Sequence, residues 1–178
     1  MEHRFNDIQG WFNFKDLYDL GLSITPENGI IIEIGAWKGK SASYMGVEIV
    51  NKNRKINFHV IDTFKGSAEH TPDETKNLYY EYQKNTLGLP IFTHKTDSLD
   101  ISLLARFNSA CHFAFIDASH KYTDVVNDIT AWWNCIVKGG ILAGHDYDWA
   151  DVKKAVDEFF SGKGTVCVSG TSWFVLKN

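Results

Sequence analysis

Five short apolar runs along this 178-residue sequence each lead to an acidic residue. The first opens into Glu33-Ile34-Gly35-Ala36-Trp37-Lys38-Gly39-Lys40-Ser41, the second into Asp62-Thr63-Phe64 and the third into Asp97-Ser98. The fourth ends in Asp117-Ala118-Ser119-His120 and the fifth in His145-Asp146-Tyr147-Asp148. An ionised carboxylate is costly to bury without a partner. One such residue can be a helix cap, a sufficient reading for Asp97 and Asp148. Five in equivalent positions call for a polar ligand, a metal ion or both. His120 and His145 belong with them, because an imidazole titrates near neutral pH and suits a general base. His3, His59, His70, His94 and His112 have no such placement.

For these groups to meet, the apolar runs must be neighbouring strands. Gly29 to Ile34, Ile56 to Ile61, Ile91 to Thr96, Cys111 to Ile116 and Ile141 to Gly144 read as buried strands. Between them lie helical patterns. Ser41 to Asn51 carries Ala42, Met45, Ile49 and Val50 at helical spacing. Thr71-Pro72-Asp73-Glu74 is a capping box with proline at the first helical position, opening a helix that ends near Gly88. Ser98 caps a short helix, and Thr123 to Val137 (ending at Gly139 and Gly140) and Trp149 to Phe160 follow. Thr165 to Val168 and Trp173 to Leu176 are separated only by Ser169-Gly170-Thr171-Ser172. A parallel crossover needs far more chain, so these two form an antiparallel hairpin. The expected fold is α/β: a Rossmann-like, doubly wound, seven-stranded sheet, mostly parallel, with a C-terminal antiparallel β-hairpin. Ligands of such sheets bind outside the carboxyl ends of the strands, where the acidic residues fall. Residues 1–28 read as a helical lead-in with packing aromatics, and 29–178 as one domain.

The glycine loop narrows the ligand. A dinucleotide loop is Gly-x-Gly-x-x-Gly, whereas Gly35 and Gly39 are spaced Gly-x-x-x-Gly. Gly35 to Ser41 is also one residue short of a Walker A phosphate loop. Glu33 would set a negative charge beside any phosphate and suits a cationic ligand instead, with Lys38 and Lys40 read as solvated. Asp62 lies where an acidic residue takes ribose hydroxyls. A ligand with a ribose, no pyrophosphate and positive charge is S-adenosylmethionine. Its expected contacts are Glu33, Gly35, Ala36, Trp37, Gly39, Ser41, Asp62, Thr63, Phe64, Asp97, Ser98 and Asp117.

At this point the sequence resembles the class I S-adenosylmethionine-dependent methyltransferases, over roughly Gly29 to Asn178. More specific are Phe115-Ile116-Asp117-Ala118-Ser119-His120-Lys121-Tyr122, then Asp128, then Lys138-Gly139-Gly140-Ile141-Leu142-Ala143-Gly144-His145-Asp146-Tyr147. Together these look like the small-molecule and sugar O-methyltransferase branch, which includes macrocin-type enzymes and cephalosporin hydroxylase-like proteins. The resemblance implies transfer of a methyl group to a hydroxyl of a sugar or other small molecule. It also implies a divalent metal, magnesium, on Asp117 and Asp146. The Asp-Asn pair of the related catechol-type enzymes falls here on His145 and Asp146, so it is not reproduced as such. His120 stands where those enzymes carry a lysine base. The catalytic residues are therefore expected to be His120 and His145. Pro26, Pro72 and Pro90 are never adjacent and no Pro-Cys dipeptide occurs, so the amino-methylating and cytosine-C5 nucleic-acid branches are not matched.

Composition bounds the alternatives. The chain is 44% hydrophobic, 14% aromatic and 22% charged, a globular profile that excludes a disordered chain. Its 18 basic against 22 acidic residues give a formal net charge of −4, without the footprint of a general nucleic-acid binder. No apolar run approaches the ~20 residues that span a bilayer, and Met1 to Asp7 has no apolar signal region. Cys111, Cys135 and Cys167 are an odd set inside apolar stretches, read as reduced buried thiols of a cytoplasmic protein. The βα units leave no room for a cap domain. Acceptor selectivity is expected from residues 1–28, the Phe64 to Thr71 loop, the Asp146 to Trp149 turn, or a second subunit of a homo-oligomer. Two competing functions remain at this level: a P-loop-like nucleotide hydrolase, and a catalytically silent cofactor-binding partner subunit.

Overall fold

A computed structural model describes residues 1–67 and 70–178. Ala68 and Glu69, part of the loop expected to shape acceptor selectivity, lie outside the described residues. Seven strands form one sheet: β1 (Ile30–Ile34), β2 (Asn57–Asp62), β3 (Ile91–Lys95), β4 (Cys111–Ile116), β5 (Ile136–Gly144), β6 (Cys167–Ser169) and β7 (Ser172–Leu176). Their order is β3-β2-β1-β4-β5-β7-β6. Strands β1 to β5 pair in parallel, and β7 runs antiparallel to both β5 and β6. The chain winds outward from β1 to β3 and returns to β4 on the other side of β1. That reversal opens a crevice above β1 and β4.

Alternation along the strands builds two cores. From β1 and β4, Ile31, Phe113 and Phe115 point to one face, where α1 (Lys15–Ile24) and α2 (Lys40–Asn51) pack through Leu17, Tyr18, Leu22, Ala42 and Met45. Ile32, Ile34, Ala114 and Ile116 point to the other, against α5 (Ile101–Phe107), α6 (Tyr122–Cys135) and α7 (Ala150–Phe160). Helix α1 lies close on β4: a Cβ at Gly21 would come within 2.6 Å of the Phe113 ring. This packing brings the segment before α1 to the carboxyl end of β5. Among the described residues no helix is long and apolar enough to cross a membrane.

Several element boundaries depart from the sequence pattern. The lead-in is helical only over α1 and a single turn at Phe5–Asp7. The capping box at Thr71 forms, but its helix breaks into α3 (Pro72–Thr75) and α4 (Leu78–Asn85). Asp100, not Ser98, caps α5, accepting from the backbone N–H groups of Ser102 and Leu103. Helix α6 stops at Cys135, and β5 begins at the next residue. That abrupt junction is held by Lys177, whose Nζ donates to the carbonyls of Trp133 and Ile136 at 2.7 and 2.8 Å. Cys111 and Cys135 are buried free thiols, whereas Cys167 is exposed on the edge strand β6.

Candidate active site

The carboxyl ends of β1 to β5 surround a cleft of about 1100 Å³. Its floor is the loop from β1 to α2. Gly35 and Gly39 have φ of +85° and +82°, and Trp37, at +45°, also adopts a left-handed conformation. Asp62 closes the loop: its Oδ2 accepts from the N–H groups of Ala36 and Trp37 at 2.7 and 3.0 Å, and its Oδ1 from Phe64 N–H at 2.6 Å. These amides are aimed at a carboxylate, so they do not form the phosphate cradle of a P-loop. Lys38 is not solvated as expected. Its ammonium pairs with Glu81 at 2.8 Å and with the Gln9 side chain, while Asn85 donates to its carbonyl. Trp11, Trp37 and His70 stack in series at the mouth, with Trp11 78% exposed.

Of the residues expected at the cofactor, Gly35, Ala36, Trp37, Ser41, Asp62, Thr63, Asp97, Ser98 and Asp117 line this cleft. Three lie elsewhere. Phe64 is buried against Tyr79 and Tyr82 and packs the loop from behind. Gly39 is the N-cap of α2, with Tyr82 and Thr86 close against its Cα. Glu33 is 1% exposed beneath the loop and accepts a hydrogen bond from Ser41 Oγ. Burial pushes its carboxyl up to about 8, opposed by the Ser41 bond and reinforced by Asp117. Glu33 is therefore neutral at pH 7 rather than the anionic contact expected for a cation.

That burial has a consequence for stability. The Glu33 pKa is 4.5 in a free side chain and about 8 in the folded protein. Stability linked to this group is full below pH 4.5 and is lost as pH rises toward 8, because only the unfolded chain ionises freely over that window. Glu33→Gln should flatten this part of the stability profile. At ~1.4 kcal/mol per pH unit between 4.5 and about 8, the variant should be about 4 kcal/mol more stable than the parent at pH 8. Denaturant melts at pH 5 and pH 8 read the difference, and parallel slopes for the two proteins would refute it.

At the ends of β4 and β5, Asp117, His120 and Asp146 offer ligand atoms that all lie within 4.8 Å of one another. His120 Nε2 is 2.8 Å from Asp146 Oδ2, and the Trp149 ring lies 4.5 Å from the imidazole. Asp146 has φ of +55°, an uncommon backbone conformation for a non-glycine residue, which turns its carboxylate toward the histidines. His145 Nδ1 is 3.1 Å from Asp146 Oδ2 and 3.9 Å from Asp117 Oδ1. Its Nε2 sits 2.8 Å from Asn13 Oδ1 and 2.9 Å from Thr171 Oγ1. Burial pushes the Asp146 carboxyl up, but the two imidazoles outweigh it and hold the group well below the usual range. Burial likewise opposes the His145 cation, and the Asp146 bond with the Asp117 charge raises its pKa overall. Asp148 is exposed and stands outside the cleft.

The structure gives partners or places to groups to which the sequence assigned no role in the site. Asp128 on α6 is 5% exposed and accepts from Ser98 Oγ; burial pushes its carboxyl up to about 6. Trp149, at the start of α7, and Trp11, in the lead-in, form cleft walls. Sequence periodicity carried the signal for Asp128, a polar residue on the apolar face of α6. No such signal existed for Asn13 and Thr171.

A seven-stranded sheet in this order, with a carboxylate-closed glycine loop at its reversal point, is the architecture of an S-adenosylmethionine-dependent methyltransferase. The profile of the methyltransferase-domain family matches residues 32–147, and the chain belongs to that family. No curated protein matches it by sequence. Among solved structures, the O-methyltransferase NovP superposes with a TM-score of 0.69 at 14% identity, over 92% of this chain and 78% of that one. The calicheamicin methyltransferase CalS11 gives 0.66 at 14% identity, over 91% and 76%. MycE, a methyltransferase of mycinamycin biosynthesis solved in complex with Mg and SAH, gives 0.60 at 16% identity, over 98% and 53%. At these identities the likeness is one of fold.

Proposed function

We propose that this methyltransferase acts on a hydroxyl of a sugar or other small molecule, assisted by a divalent metal, magnesium being the first choice. The observation that carries this reading is the Asp117–His120–Asp146 cluster in the wall of the same cleft as Asp62 and the glycine loop. A module that only bound the cofactor would have no use for that cluster, which argues against the silent-partner alternative. NovP is an O-methyltransferase, CalS11 is the calicheamicin methyltransferase and MycE was solved with Mg, all of which agree with it. The acidic balance of the chain leaves nucleic acid out of the reading, and the buried free thiols suit a cytoplasmic protein.

S-adenosylmethionine supplies the electrophilic methyl group; the protein supplies orientation and electrostatics. Asp62 and the loop amides fix one end of the cleft, and Asp97 and Ser98 border it at the end of β3. The two carboxylates of the cluster, whose ligand atoms lie within 4.8 Å of one another, offer oxygen donors that fit a divalent ion. Asp117 and Asp146 would hold it, and when bound it would lower the pKa of a coordinated hydroxyl. His120 is oriented by Asp146 and takes the hydroxyl proton. Trp149 shields that imidazole on one side and borders the acceptor.

Isothermal titration with S-adenosylmethionine and with ATP tests the reading first. Binding of the former alone is expected. Binding of ATP alone would overturn it in favour of a P-loop-like hydrolase. Methyl transfer to a panel of sugars and phenols then tests the acceptor class, and binding without any turnover would support the silent-subunit alternative.

A further inference from the structure

The sequence places His145 beside Asp146, where it resembles a second catalytic histidine. Its surroundings describe a different role. Both ring nitrogens face acceptor oxygens: Nε2 meets Asn13 Oδ1 at 2.8 Å, and Nδ1 meets Asp146 Oδ2 at 3.1 Å. A ring engaged at both nitrogens is held in one orientation. Thr171 Oγ1 sits 2.9 Å from Nε2 and accepts from Asn13 Nδ2 at 3.1 Å, closing a three-residue ring of hydrogen bonds. Phe14 covers the imidazole at 4.9 Å between ring centroids.

The anchors come from distant parts of the chain. Asn13 precedes α1 by two residues, and Thr171 lies in the turn between β6 and β7. That turn also holds the other side of Asp146, because the Thr171 carbonyl accepts from Tyr147 N–H at 2.8 Å. Asp146 itself keeps a left-handed backbone at φ +55°. A residue in such a conformation persists only when its surroundings over-determine it. Here the neighbours on both sides are clamped by the same threonine.

We propose that His145 is a positioning residue, held by Asn13 and Thr171, that fixes the Asp146 carboxylate for metal binding. The lead-in segment and the β6–β7 turn thereby become working parts of the site. This rests on the reading of Asp117 and Asp146 as metal ligands. Partners that orient a ligating carboxylate typically contribute roughly 10–100-fold to metal affinity.

The test is titration of chelator-treated protein with Mn2+ alone, comparing wild type, Asn13→Ala, Thr171→Val, Thr171→Ser and the Asn13→Ala/Thr171→Val double variant. The alanine and valine variants should bind Mn2+ roughly 10–100-fold more weakly, with S-adenosylhomocysteine affinity unchanged. Thr171→Ser keeps the hydroxyl and should bind as wild type does. The double variant should lose little more than the worse single one, since both act through one ring. Variants that melt earlier yet keep wild-type Mn2+ affinity would overturn the proposal and leave the network as a packing seam. A wild type that binds no Mn2+ would overturn the metal reading and this role with it. Should the alanine variant fail to fold, Asn13→Ser takes its place in the same titration, and wild-type Mn2+ affinity in it would refute the clamp.

Discussion

Asp146→Asn should lower methyl transfer by roughly 100–1000-fold, the several kcal/mol that a bound metal contributes at ~1.4 kcal/mol per factor of ten, while S-adenosylmethionine affinity stays at the parental value. The substitution keeps shape and removes charge. It takes away one of the two carboxylates of the cluster and the anionic acceptor that faces both His120 and His145. The cofactor loop is untouched, because its amides are held by Asp62 on the other side of the cleft. Asp117→Asn should match it, since Asp117 provides the second carboxylate. Initial rates at saturating cofactor, with titrations of S-adenosylhomocysteine, separate the two effects. Full activity of the parent in the presence of chelator would refute the metal role. Loss of cofactor binding in Asp146→Asn would show that the two halves of the cleft are not separable.

Gly35→Ala should damage folding and cofactor binding together. Gly35 sits at φ +85°, and a Cβ there would fall 1.9 Å from the backbone carbonyl oxygen of Asp117. Neither group can yield, because Asp117 N–H is bonded to the Ile34 carbonyl at 2.8 Å and Gly35 N–H to Ile61 at 2.9 Å. Left-handed backbone alone costs an alanine about 1–2 kcal/mol. Gly88 supplies the control: its φ is +79°, but nothing lies within 4 Å of a Cβ there. Gly88→Ala should show only the backbone cost. Gly35→Ala should exceed it by at least about 2 kcal/mol, in the range of overpacked sites, and weaken S-adenosylmethionine binding more than tenfold. Equal destabilisation of the two variants, in urea melts, would mean that the loop and the Asp117 backbone relax apart. The two predictions meet at Asp117: its side chain faces the cleft, while its backbone fits only a glycine just after β1.

Much of this architecture is written locally. The apolar runs, the capping box at Thr71, the short link before β7 and the glycines of the first loop each impose their own geometry. Together they specify seven strands and place the acidic residues on one rim. The same local information also located Asp62, Asp117, His120 and Asp146 in the cleft wall.

What the sequence by itself determined is therefore which residues reach the rim and what class of chemistry they suit. Only the tertiary structure decided what each does there. Glu33 and Asp62 are both strand-end carboxylates, yet one is buried and neutral while the other ties down three amides. His120 and His145 both flank the carboxylate pair, yet His145 meets Asn13 through one nitrogen and Asp146 through the other. Lys38, solvated by every local criterion, is paired under α4. The physical reason is that periodicity and turn chemistry act over a few residues. Burial, charge state and hydrogen-bond partners depend on segments as far apart as Asn13, His145 and Thr171, which meet only once α1 packs on β4 and the hairpin closes beside β5.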